Sequence, residues 1–118
     1  MANWKIPLYR VFTDKDDLES ISMVLKRGMD WAIGPEITQF EKSLAEYVGS
    51  KFCISFNSGT SALHASLIAA KIGKGDEIIT PSFTFIATPN SALMVNAIPK
   101  SVDIDIDNLG LDPEHLEQ

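Results

Sequence analysis

Apolar positions in this chain follow two rhythms, one near four residues and one of two, separated by glycine and proline. Leu18, Ile21, Val24 and Leu25 keep a helical period that stops at Gly28, and Thr13 with Asp16 three residues later reads as the start of that helix. Met29 to Gly34 is then a loop. Pro35 suits a first helical turn, and Ile37, Phe40, Leu44 and Val48 form a second stripe that ends at Gly49. Each of these amphipathic helices has one face to pack. Met1 to Phe12 reads as an arm rather than a compact element.

The rhythm changes at Lys51. Phe52, Ile54 and Phe56 alternate with Cys53 and Ser55, which predicts a short strand broken by Asn57-Ser58-Gly59. Thr60 to Ala70 predicts a helix that is apolar around most of its circumference, as a helix buried on several sides would be. A chain ending at Gln118 would leave part of that surface exposed. After a turn at Gly73-Lys74-Gly75-Asp76, Glu77 to Thr80 predicts a strand that ends at Pro81. Pro89 opens a further helix with Ala92, Leu93 and Val95 facing inward and Asn96 ending it, and Ile98 to Ile104 is a third strand. Asp112-Pro113-Glu114 looks like another helix start, cut off by the chain end. Strands separated by helices favour parallel pairing with right-handed crossovers.

This order places chemistry at the turn before the Thr60 helix. A helix that begins directly after a strand and a glycine turn points unpaired NH groups and the positive end of its dipole at whatever lies above. Gly59 permits backbone angles closed to other residues and close approach to the main chain, and Thr60 and Ser61 add hydroxyls. Serine, threonine and glycine also cap ordinary helices, so this turn alone fits either reading. Phe83 and Phe85 alter the balance by bringing aromatic rings to the carboxyl end of the next strand, where open α/β sheets bind ligands. A phosphate cradle beside a projecting ring suits a flat, phosphorylated aromatic cofactor such as pyridoxal phosphate.

The run NSGTSALHASLIAAKIGKGDEIITPSFTFIAT, followed by NSALMVNAIPKSVDID, resembles the DegT/DnrJ/EryC1/StrS family of pyridoxal-phosphate enzymes. The likeness extends to Ile6-Pro7-Leu8, to Gly34-Pro35 followed by Phe40-Glu41, and to Val102-Asp103-Ile104-Asp105. It implies an α/β fold, the amino-terminal part of the fold type I, aspartate aminotransferase-like large domain with three α/β/α layers. Residues 1–50 would supply an arm and two amphipathic helices, and 51–118 the first part of the cofactor-binding domain, with the catalytic remainder absent. The resemblance implies that Gly59, Thr60 and Ser61 hold the cofactor phosphate, chiefly through the backbone NH groups of Thr60 and Ser61, and that Phe85 rather than Phe83 stacks on the pyridine ring. It also implies a homodimer with active sites drawn from both subunits, the amino-terminal helices lying against the partner and the loop near Gly34 bordering the site. Trp4 and Trp31 are read as core or interface packing.

The activity implied is transfer of an amino group from an amino-acid donor such as glutamate to a nucleotide-linked keto-sugar, in cell-surface polysaccharide or secondary-metabolite biosynthesis. Such chemistry needs a Schiff-base lysine and an acid paired with the pyridinium nitrogen. In the family both lie downstream of Gln118. None of the eight lysines stands in the Schiff-base motif, so this stretch alone is expected to be inactive. Two alternatives stand beside the aminotransferase: a sugar dehydratase of the same family, with histidine in place of the lysine, and a non-enzymatic phosphate-binding module.

Composition narrows the partners. A net charge of −6 gives no basic surface for nucleic acid or an anionic membrane. A single cysteine excludes an intramolecular disulfide and a cysteine-based zinc site, and Cys53 reads as a small core residue. With no signal peptide and no apolar run of about 18 residues, a cytoplasmic protein is expected. Asp103, Asp105 and Asp107 alternate at a strand end and read as solvated acids rather than a metal site. His64, one turn into the helix, reads as a packed residue, and His115 has no partner visible in sequence.

Overall fold

The computed structural model describes residues 6, 7 and 9–117, which leaves Trp4 and Leu8 outside the described residues. The chain divides into two compact units, Met1–Cys53 and Ile54–Gln118. In the first, helix α1 spans Lys15–Arg27 and helix α2 spans Pro35–Val48. Asp14, not Thr13, caps α1: its carboxylate accepts from the Asp16 and Asp17 NH groups, while Asp17 accepts in return from the Asp14 NH. This reciprocal box satisfies NH groups at the helix start, and a carboxylate there also opposes the positive end of the dipole. Gly28 and Gly49 close the two helices in the left-handed conformation, which glycine adopts without a Cβ penalty. Leu18, Ile21, Leu25 and Trp31 are exposed in this unit.

The second unit carries α3 (Gly59–Ala69), β1 (Glu77–Pro81), α4 (Ala87–Met94), β2 (Ile98–Val102) and the short α5 (Pro113–Leu116). β1 and β2 pair in parallel, with Glu77 opposite Ile98 and Pro81 opposite Val102. Pro81 sits at the last ladder position, and beyond it the Ser82 NH donates to the Val102 carbonyl at 2.8 Å. Helix α4 packs on both strands and against α3. The core there is small and built from Ala92, Ala97 and Val102 with the buried hydroxyl residues Thr80 and Ser91.

Three expectations need correction. Residues 52–56 are not a strand: the alternation is present, but among the described residues no neighbour forms a ladder with them, and β-propensity without a partner does not make a sheet. The third strand stops at Val102, and Ile104 instead forms an isolated antiparallel bridge with Leu111. Helix α4 begins at Ala87, before Pro89, and turns Ser91 and Ala92 inward while Leu93 is 57% exposed. Asn96 does end that segment, in the left-handed region at φ 61°.

Candidate anion and ring site

Helix α3 starts one residue earlier than its apolar pattern suggests, because Ser58 caps it. The Ser58 hydroxyl accepts from the Ser61 NH at 3.1 Å and lies 3.0 Å from the Ser61 hydroxyl, which also donates to the Asn57 side-chain carbonyl at 2.9 Å. The first backbone bond of the helix runs from the Ala62 NH to the Ser58 carbonyl. Gly59 and Thr60 therefore present NH groups without a helical acceptor, while the Ser61 NH is already engaged.

Charge placement around this turn is distinctive. Helices α1, α2 and α5 each carry acidic residues in the first turn, as favours an ordinary helix start, whereas α3 and α4 carry none. The positive end of the α3 dipole is thus left for an external anion. Gly59 is helical rather than left-handed, so conformational freedom is not what its position requires. A Cβ built there would meet no protein atom within 4 Å, which leaves open space above the turn.

An open cavity of about 730 Å³ lies over this helix start. Ser58, Gly59 and Thr60 form one side, Phe85, Ala87 and Thr88 another, and Ala62, Leu63 and Ser66 supply the α3 wall. Of the residues expected from sequence, Gly59, Thr60 and Phe85 meet in this cavity. Ser61, bonded to Asn57 and Ser58, and Phe83, 70% exposed, do not line the space. Among the described residues no ionisable side chain borders it, so an anion here would be held by NH groups, hydroxyls and the helix dipole. These residues fit a phosphate joined to a flat ring: donors at one end, an aromatic face at the other, and apolar atoms between.

Ser58 escaped the sequence reading. Its signal was present, since a serine directly before a helix-forming run is a preferred cap residue. The other candidates fall elsewhere. His64 is half-buried and does not line the cavity. The His115 Nδ1 accepts from the Asp103 NH at 3.0 Å, a partner that sequence did not reveal. Asp105 accepts from the Asp107 and Asn108 NH groups and thereby shapes a turn. Among the described residues no group of three or more histidine, cysteine or acidic residues could hold a metal ion. Nor is any described helix long and apolar enough to cross a membrane.

The chain belongs to the DegT/DnrJ/EryC1/StrS aminotransferase family, which matches residues 12–118. Its fold is the amino-terminal part of the α/β fold type I architecture. It is 44% identical over 104 residues to UDP-2-acetamido-2-deoxy-3-oxo-D-glucuronate aminotransferase of Pseudomonas aeruginosa, covering 87% of this chain and 29% of that protein. To UDP-4-amino-4-deoxy-L-arabinose–oxoglutarate aminotransferase of Shewanella sediminis it is 36% identical, covering 99% of this chain and 30% of that one. Among solved structures, E. coli GDP-4-keto-6-deoxy-D-mannose-3-dehydratase with bound hydrated PLP superposes with a TM-score of 0.83 at 30% identity, covering 94% of this chain and 30% of that one. The chain thus spans under a third of the length of the curated relatives it matches.

Proposed function

We propose that these residues form the phosphate and ring seat of a pyridoxal-phosphate-dependent aminotransferase acting on a nucleotide-linked keto-sugar. The observation that carries the reading is the convergence of the acid-free α3 start and Phe85 on one cavity. Bound pyridoxal phosphate supplies the electron sink that makes a proton removable beside the transferred nitrogen. The Gly59 and Thr60 NH groups and the Thr60 hydroxyl bind its phosphate. Ser61 serves chiefly by bonding Asn57 and Ser58, which fixes the turn, and reaches the phosphate through its NH only if that NH leaves Ser58. Phe85 covers one face of the ring.

The lysine that carries the cofactor and the acid facing the ring nitrogen are assigned outside these residues. Glutamate is the donor that this reading favours, and the S. sediminis relative carries oxoglutarate in its name. A homodimer, a cytoplasmic location and a role in surface-polysaccharide or secondary-metabolite sugars belong to the same proposal.

Dehydration of the sugar is the second reading, favoured by the likeness to the E. coli dehydratase. Product analysis separates the two. The full-length protein, given glutamate and UDP-linked 3-keto or 4-keto sugars, should yield an amino-sugar nucleotide and 2-oxoglutarate. A deoxygenated sugar nucleotide without added nitrogen would establish the dehydratase instead.

A further inference from the structure

We propose that Thr84 and Thr88 form a staple that aims the Phe85 ring into the cavity, making both of them positioning residues for the aromatic face of the site. The inference rests on the reading of Phe85 as the ring that covers the cofactor.

Phe85 is 76% exposed, so side-chain packing among the described residues does little to hold its ring. Among the described residues, what holds its place is the backbone that carries it. That backbone is a turn closed twice. The Thr88 NH donates to the Phe85 carbonyl at 3.0 Å, and the Thr84 and Thr88 hydroxyls, on either side of Phe85, stand 3.0 Å apart. The hydroxyl pair bridges the segment before α4 to the first turn of that helix, where the capping residue, Ile86, makes no side-chain cap bond. Without it, the turn keeps only the main-chain bonds from Thr88 to Phe85 and from Asn90 to Ile86 and the bond from the Ser91 hydroxyl to the Thr88 carbonyl.

The two threonines can be told apart. Thr88 lines the cavity and could touch a ligand directly, whereas Thr84 does not line it. An effect of changing Thr84 therefore reports on the staple. Valine is the suitable replacement, because it keeps the β-branched shape and removes the hydroxyl.

The test uses the full-length protein and two non-covalent probes measured by calorimetry: pyridoxamine 5′-phosphate, which has ring and phosphate, and inorganic phosphate, which lacks the ring. T84V should weaken pyridoxamine phosphate by about three- to ten-fold, the range of one lost hydrogen bond. It should leave inorganic phosphate unchanged, T84S should restore affinity, and T84V should add nothing in a T88V background. Unchanged affinity for pyridoxamine phosphate in T84V, equal weakening of both probes, or independent effects of the two valines would overturn the staple. F85A separates the staple from the stacking role of Phe85. If F85A weakens pyridoxamine phosphate while T84V does not, the staple alone fails. If F85A binds as the wild type does, the reading of Phe85 fails and the staple with it.

Discussion

Arg27 and Glu36 form an ion pair at 2.6 Å that ties the end of α1 to the start of α2. The same guanidinium donates to the Met29 carbonyl at 3.1 Å and the Asp30 carbonyl at 2.9 Å, so one side chain holds the intervening loop at two points and α2 at a third. Gly34 is buried beneath it, and a Cβ there would overlap the Arg27 and Glu36 side chains and crowd the Asp30 carbonyl. G34A is therefore expected to push the clamp open and to lower stability by about 1–3 kcal/mol, the usual range for overpacking. Chemical denaturation of the full-length protein measures this, and wild-type stability in G34A would contradict it.

The clamp is also sensitive to acid. The hydrogen bond from Arg27, aided by the residue's own backbone NH, holds the Glu36 carboxyl below the usual glutamate range. A depressed folded-state pKa stabilises above the unfolded value and loses that contribution as pH falls through the folded one. Loosening of the loop should thus begin below the ordinary glutamate pKa and finish at lower pH. Trp31, in the loop, provides the fluorescence readout. E36Q should abolish this step in the pH profile, and an unchanged profile in E36Q would assign the step to another group.

Ser58 is both the cap of α3 and the acceptor for the Ser61 NH. S58A should cost about 1 kcal/mol in stability, as loss of a serine cap commonly does. Thermal or urea unfolding checks the value. A change within about 0.3 kcal/mol would mean that water replaces the hydroxyl at little cost.

Phe83 and Phe85 are equally aromatic and both exposed, but only Phe85 borders the cavity. F85A should weaken pyridoxamine phosphate by about ten-fold, the upper end of what an aromatic stack contributes, and F83A should leave it near the wild type. The reverse ranking in a direct binding titration would move the stacking role to Phe83.

Reduction of the cofactor-loaded full-length protein with borohydride fixes the cofactor to its lysine. Peptide mapping should place the adduct on none of the eight lysines of this sequence. A stoichiometric pyridoxyl group on any of them would show that the carrier lysine lies here.

Sequence revealed the elements whose determinants are local. Gly28, Pro35 and Gly49 bound α1 and α2 because caps and stops act within a turn of the residue that supplies them. The parallel pairing of β1 and β2 followed from a helix between two strands. What failed depended on partners distant in sequence. Residues 52–56 have strand-like alternation, yet a ladder needs a neighbour that no local pattern supplies. On α4 the inward Ala92 was legible, but the burial of Ser91 and the exposure of Leu93 were not, because its neighbours, α3 and the two strands, admit a small residue at Ser91. At the site, the α3 start and its hydroxyls were legible as a capping pattern. The engagement of the Ser61 NH by Ser58 was not, since serine at a cap can turn toward the helix or away from it.

The most direct test of the cavity as the cofactor seat is a crystal structure of the full-length protein with pyridoxal phosphate bound. The phosphate should lie within hydrogen-bond distance of the Gly59 and Thr60 NH groups, with the ring against Phe85. A phosphate bound away from the start of α3, or a ring with no contact to Phe85, would contradict the assignment.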